Sequence, residues 1–314
     1  MVYRPAAHSN SDYDILDSEV FINVLDNPII MHITYCEQGQ TIDEICRKAV
    51  KWGFDGVEFR RKRAGVDETP EQYVDAIAKS AEASGLKMVM LGSPTVNMIV
   101  EDADDRRRQI DEAVDFFKMA SKKLNLTVCN AFAGWLENSD KSVYYYDFRK
   151  HGSGIGTEEQ YEWAAQAFRV LGDVAQELGI TLALELHGCT LHDLPASANR
   201  LLKMIDRKSV GANLDYGNMI YFKDQPSIAD SISELGEKLF YVHLKNSAAL
   251  SIYGLDRLPT ALSGGDINHR EYMRLLAAAK YRGPIGLEAP RPGDREWFAQ
   301  EDIAYIKSII AEIS

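Results

Sequence analysis

LALELHGCTLHD, residues 182–193, places leucines at 182, 184 and 186 and sets Ala183, Glu185 and His187 between them. Strict alternation marks a strand with two unlike faces. One face is greasy throughout. The other ends in a carboxylate followed by an imidazole, an unlikely pair to place in a plain core. The stretch therefore reads as a strand leaving a hydrophobic interior and delivering chemistry at its carboxyl end.

The same design recurs along the chain. IIMHITYC (29–36), GVEFR (56–60), KMVMLGSP (87–94), TVCNAFAG (127–134), TLALELHG (181–188), VGANLDYG (210–217), LFYVHLKN (239–246) and PIGLEAP (284–290) are eight short apolar runs. Helical patterns separate them, over roughly 41–52, 69–84, 102–124, 157–178, 197–206, 227–238 and 267–281, with a last one at 295–313. Thr69 before Pro70 reads as an N-cap with proline at the first helical position, and TEEQ at 157–160 fits a capping box. Gly85, Gly179 and Gly283 each stand between a helix and the next strand, where helices stop. Eight strand–helix units in about 290 residues are the count of an α/β (β/α)8 TIM barrel. A doubly wound sheet would want a glycine-rich phosphate loop after its first strand, and none is present. GSGIG at 152–156 follows a polar stretch and reads as a flexible loop. Residues 29–314 form the expected barrel domain and residues 1–28 an N-terminal arm.

In a barrel, alternate strand residues face the interior and the helix layer. Assigning the apolar set to the helices turns Glu185 and His187 inward on the fifth strand and Asn213 and Asp215 on the sixth. It turns Tyr241, His243 and Lys245 inward on the seventh and Glu288 on the eighth. His32, Glu58, Arg60 and Asn130 follow on the earlier strands. All lie late in their strands, at the face where barrel active sites are built. Glu185, Asp215, His243 and Glu288 thus converge from four consecutive strands. Three buried carboxylates repel one another unless a cation joins them. One divalent ion with three oxygen ligands and one imidazole is expected: manganese first, with magnesium, cobalt or zinc also suited. His32, Glu58, Arg60, Asn130, Asn218, Lys245 and Arg291 are the expected substrate contacts, with Lys245 and Arg60 equally open to pairing with the carboxylates. His192 and Asp193, past the strand, read as structural. Tyr144 to Tyr146 suit a pocket wall, an interface or a packed loop equally.

Bulk properties exclude other classes. Thirty-five basic against 47 acidic residues give a formal net charge of −12, which disfavours nucleic acid and anionic membranes as partners. RRKR at 60–63 reads as a solvated loop. Cys36, Cys46, Cys129 and Cys189 show no CxxC pair, consistent with reduced cysteines in a cytoplasm. No apolar run approaches the ~20 residues of a membrane span, and no signal-peptide pattern opens the chain.

GFDGVEFR, LALELHG, GANLDYGN, YVHLKN and GPIGLEAPRPG together resemble the sugar phosphate isomerase/epimerase superfamily of xylose-isomerase-like barrels, over nearly all of residues 29–313. That group holds ketose 3-epimerases, inosose dehydratases and isomerases, 3-dehydroshikimate dehydratases and the barrel subunits of C-glycoside deglycosidases. The resemblance implies metal ligation by Glu185, Asp215, His243 and Glu288, with Glu185 and Glu288 as the acid/base pair. It implies a metal-polarised carbonyl, removal of the neighbouring proton, and then epimerisation, isomerisation or β-elimination. Asn218, Ala249 and Leu191 stand where ketose 3-epimerases carry histidine, arginine and glutamate. The Glu185-x-His187 pair is instead similar to the deglycosidase branch, in which a histidine near the metal is the base. The expected substrate is a small keto sugar, cyclitol or glycoside, and the expected assembly a homo-oligomer or a chain with a small companion subunit. A lyase acting on 3-oxo glycosides is the alternative enzyme, and a non-catalytic sugar-binding barrel the alternative without chemistry.

Overall fold

The computed structural model describes residues 27–61, 67–92, 97–250 and 256–313. Eight parallel strands close a barrel: β1 Ile29–His32, β2 Gly56–Arg60, β3 Met88–Gly92, β4 Val128–Ala131, β5 Thr181–Glu185, β6 Val210–Asp215, β7 Leu239–Leu244 and β8 Ile285–Leu287. Each pairs with its sequence neighbours, and β8 pairs back onto β1. The principal helices are α1 Ile42–Trp52, α2 Pro70–Ser84, α3 Ala103–Ser121, α4 Glu158–Leu178, α5 Pro195–Ile205, α6 Ile228–Leu235, α7 His269–Ala278 and α8 Arg295–Ile313. The (β/α)8 barrel expected from the alternation is the observed fold.

Local chemistry sets the helix ends. Thr41, Thr69 and Thr157 each cap a helix with their side chain, and Glu44, Gln72 and Gln160 return the bond to the cap's backbone. Gly85 and Gly179 end their helices in the left-handed conformation, as expected. Gly283 does not end α7; Lys280, at φ 56°, makes that turn instead.

The large core lies between barrel and helices. Leu182, Leu184 and Leu186 belong to it, as do Val210, Ala212, Leu214, Val242 and Leu244. A second cluster fills the barrel's interior floor from Ile30, Met90, Val128, Ala183 and Tyr241. Phe240 departs from the alternation. The β6–β7 register skips a residue there, and Phe240 packs against the inner cluster rather than the helices.

The strands are shorter than the apolar runs, because the chain turns once it clears the barrel rim. His187, Lys245 and Glu288 consequently follow their strands by one or two residues. GSGIG is a packed turn rather than a flexible loop: Gly152 is buried, and Ser153 N donates to Asp193 Oδ2 at 3.0 Å. A short antiparallel hairpin, Ser247–Ala249 with Arg257–Pro259, follows β7. All four cysteines are buried and unpaired. Of the arm expected over residues 1–28, Asn27 and Pro28 fall among the described residues, and Asn27 Nδ2 donates to Gly283 O at 2.7 Å. No described helix is long and apolar enough to cross a membrane.

Candidate active site

Glu185 is the last residue of β5, and every polar atom it presents is held. Its carbonyl accepts from His192 Nδ1 at 2.7 Å, Oε2 from Asn130 Nδ2 at 2.6 Å and Oε1 from Asn218 Nδ2 at 3.1 Å. Asn130 is itself oriented by Asn213 Nδ2 at 3.1 Å. Asp215 closes β6, and its Oδ1 accepts from Asn218 N at 3.2 Å, capping a single helical turn, Tyr216–Met219. His243 comes up on β7. Glu288 follows β8, its backbone N–H donating to Leu244 O at 2.9 Å. Glu185, Asp215 and His243 are buried and Glu288 nearly so.

The four side chains meet. One ligand atom from each lies within 4.8 Å of the others. His243 Nδ1 faces Glu288 Oε2 at 3.1 Å, Glu185 Oε2 at 3.6 Å and Asp215 Oδ2 at 3.7 Å. Its other nitrogen, Nε2, lies 2.9 Å from Glu58 Oε2. A carboxylate only accepts, so Nε2 carries the proton, and in the neutral ring the Nδ1 lone pair points at the three carboxylates. Nδ1 is buried with no partner in hydrogen-bond geometry among the described residues. An imidazole nitrogen aimed at three carboxylate oxygens fits a divalent cation. The Glu58 contact is the outer carboxylate that metal-binding histidines commonly use.

Without an ion, the site's own cations balance its carboxylates. Burial alone would raise the Glu185 pKa, but His243 and Lys245 outweigh it and hold the carboxyl below its ordinary range. Burial acts the same way on Glu288, where His32, Lys245 and His243 win and the pKa falls well below normal. His243 moves up: burial opposes its charge, and Glu58 and Glu185 more than compensate. Lys245 also moves up against burial, because Asp215, Glu288 and Glu185 surround it.

A cavity of about 130 Å³ opens above the quartet, lined by His32, Glu58, Arg60, Gly92, Asn130, Phe132, Glu185, His187, Lys245 and Glu288. Typical small-molecule pockets run to ~300–1,000 Å³, and this one is smaller. His32, Glu58, Arg60, Asn130 and Lys245, five of the seven expected contacts, line it. Four differ in detail. Glu58 is fully buried and spends Oε2 on Tyr241 Oη (2.7 Å) and His243. Arg60 lines the mouth with its guanidinium on Glu37, at 2.7 Å. Arg291 does not line the cavity: its guanidinium pairs with Asp302 at 2.7 Å and lies over the Phe298 ring, on the helix side. Asn218 bonds Glu185 and Asp215 rather than lining the cavity.

His192 and Asp193 are structural. His192 accepts from Ala133 N at 3.1 Å through Nε2 while holding the Glu185 carbonyl. Asp193 joins Ser153 to Ser197. Tyr144 to Tyr146 stand away from the cavity; Tyr144 Oη donates to Asp256 at 2.6 Å and Tyr146 stacks on Tyr221. Phe132 was missed, although it falls two residues after Asn130 in the same alternation. It packs edge-on to His187, which Trp135 flanks at 5.0 Å. A larger groove of about 590 Å³ opens at the opposite, amino-terminal end of the barrel, with mostly apolar walls such as Ile232, Leu239 and Phe240.

The chain is a parallel (β/α)8 barrel that gathers a buried Glu–Asp–His–Glu quartet at the carboxyl ends of β5 to β8. The chain belongs to the xylose isomerase-like TIM barrel family, whose model matches residues 46–309. Solved structures agree on the fold. A xylose isomerase-like TIM barrel protein from Mycobacterium smegmatis in complex with magnesium is 19% identical, covering 91% of this chain and 97% of its own, with a TM-score of 0.70. D-allulose 3-epimerase from Methylomonas sp. is 17% identical over 90% of this chain and 98% of its own, TM-score 0.68. The 3-keto-D-glucoside 4-epimerase of E. coli is 16% identical over 90% and 99%, TM-score 0.68. No curated protein matches the chain in sequence.

Proposed function

We propose that the protein is a divalent-metal-dependent enzyme that removes the proton next to the carbonyl of a keto sugar or cyclitol, as an isomerase or epimerase does. One observation carries the reading: Glu185, Asp215, His243 and Glu288 converge within 4.8 Å beneath a small polar cavity. The epimerases among the similar folds support the reaction class. These four side chains would hold the ion, and three carboxylates with one imidazole suit manganese first, then magnesium, cobalt or zinc. Once bound, such a cation supplies Lewis-acid stabilisation to negative charge developing on substrate oxygens.

The remaining work falls to the protein. Both Glu185 oxygens already accept amide hydrogen bonds, which weakens that carboxylate as a base. His187 is freer. Its Nδ1 lies 2.8 Å from Gly188 O, an acceptor, so Nδ1 carries the proton and the lone pair sits on Nε2. With Phe132 and Trp135 fixing the ring at the cavity wall, His187 is the residue we place as the base. The imidazolium of His187 then returns that proton to the substrate, and Glu288, held ionised by His32, Lys245 and His243, keeps to the quartet. The same base on a 3-oxo glycoside would start a β-elimination, and the position of His187 favours that lyase as the second reading.

Exchange of solvent deuterium into candidate ketoses, inososes and 3-oxo glycosides tests the proposal, because it reports proton removal before any product is known. Wild type should exchange with manganese and stop with chelator. His187→Gln should keep its ion and lose exchange by about 10²–10⁴-fold. Glu185→Gln should lose the ion as well. A chain that purifies without divalent metal and takes none up, or exchange that survives both Glu185→Gln and Glu288→Gln, rejects it.

A further inference from the structure

Lys245 follows β7, two residues past His243. Its Nζ lies 2.6 Å from Asp215 Oδ2, 3.2 Å from Glu288 Oε2 and 3.3 Å from Asn218 Oδ1. Those two carboxylate oxygens are the ones that face His243 Nδ1, at 3.7 and 3.1 Å. A cation seated on Nδ1 therefore has to use atoms that the ammonium already holds. Divalent ions sit about 2.0–2.2 Å from carboxylate oxygen, which would bring two positive charges to the same oxygens. The stem of Lys245 reaches this position over Gly217, where any Cβ would collide with Lys245 Cγ. Lys245 also lines the cavity, and its side chain is 21% exposed, so it has somewhere to go.

We propose that Lys245 is a built-in counter-cation that competes with the divalent ion for Asp215 and Glu288. It keeps the carboxylates gathered before the ion arrives. Ion binding drives the ammonium off Asp215 and toward the cavity. The inference rests on the metal reading of the quartet and adds to it a device that moderates ion affinity.

Calorimetry on chelator-stripped chain with manganese tests it. Lys245→Met should bind manganese at least tenfold more tightly than wild type, while melting at a lower temperature without the ion. Lys245→Arg, which keeps the charge, should stay near wild type in affinity. A crystal structure of manganese-loaded wild type guards against a variant that fails to fold, and Lys245 Nζ should have left ion-pairing range of Asp215. Unchanged or weaker affinity in Lys245→Met, or an ammonium still on Asp215 beside the ion, overturns the inference and leaves the metal reading standing. No manganese binding by wild type instead removes the metal reading itself.

Discussion

The imidazole of His243 presents Nδ1 to the carboxylates only if its ring is held, and Glu58 supplies that restraint. Tyr241 Oη donates to the same Glu58 oxygen and fixes the carboxylate in turn. Glu58→Gln keeps the shape and removes the charge, so ion affinity should fall about 10–100-fold. Titration calorimetry measures this, and affinity equal to wild type would show that Glu58 only fills space. The convergence of the quartet was legible because each of its side chains leaves a strand end in the inward phase of a period-two pattern. The division of labour was not. Glu58 and Asn218 looked like substrate contacts, because alternation tells which way a side chain leaves the strand and nothing of what it meets. Arg291 lies beyond the end of β8, where the alternation no longer applies, and Asp302 on α8 draws it away.

Strand and helix construction can be probed without touching a ligand. Gly286 faces the barrel interior, where a Cβ would press on Tyr241 Oη and stand 2.8 Å from His243 Cδ2. Gly286→Ala overpacks this layer and should cost about 1–3 kcal/mol in urea unfolding. It should also weaken ion binding, because His243 is one of the groups pushed. Thr157→Ala removes the reciprocal cap of α4, which does not line the cavity, and should cost about 1 kcal/mol with ion affinity unchanged. Equal effects of the two variants on ion affinity would contradict the claim that Gly286 makes room for the site. The barrel was readable from such local signals: capping threonines, stop glycines and alternating leucines each reported a boundary or a face. What escaped were departures set by tertiary contact. The register skip at Phe240 depends on the strand beside it, and the packed turn at Gly152 depends on Thr190 and Asp193, about forty residues downstream.

Acid should loosen the whole barrel before the carboxylates titrate, because two histidines are buried in neutral form. Burial lowers His192 and His269 to about 4. For His192 the geometry shows why: Nδ1 donates to Glu185 O and Nε2 accepts from Ala133 N–H, so a second proton has no acceptor. An unfolded histidine titrates near 6.5. Between about pH 6.5 and 4 the unfolded chain therefore binds protons that the native chain refuses, and stability falls as pH falls. The loss is on the order of 2 kcal/mol per histidine by pH 5. His243 opposes it in the ion-free chain. Its pKa is raised, so its contribution is full below about 6.5 and fades as pH rises through the native value. A comparison of variants separates these effects. His269→Gln should be less stable than wild type at pH 7.5 in urea, and the gap should narrow by about 2 kcal/mol at pH 5, because one of the two refused protons is gone. Curves for variant and wild type that stay parallel over that range would mean that His269 is not held neutral by burial.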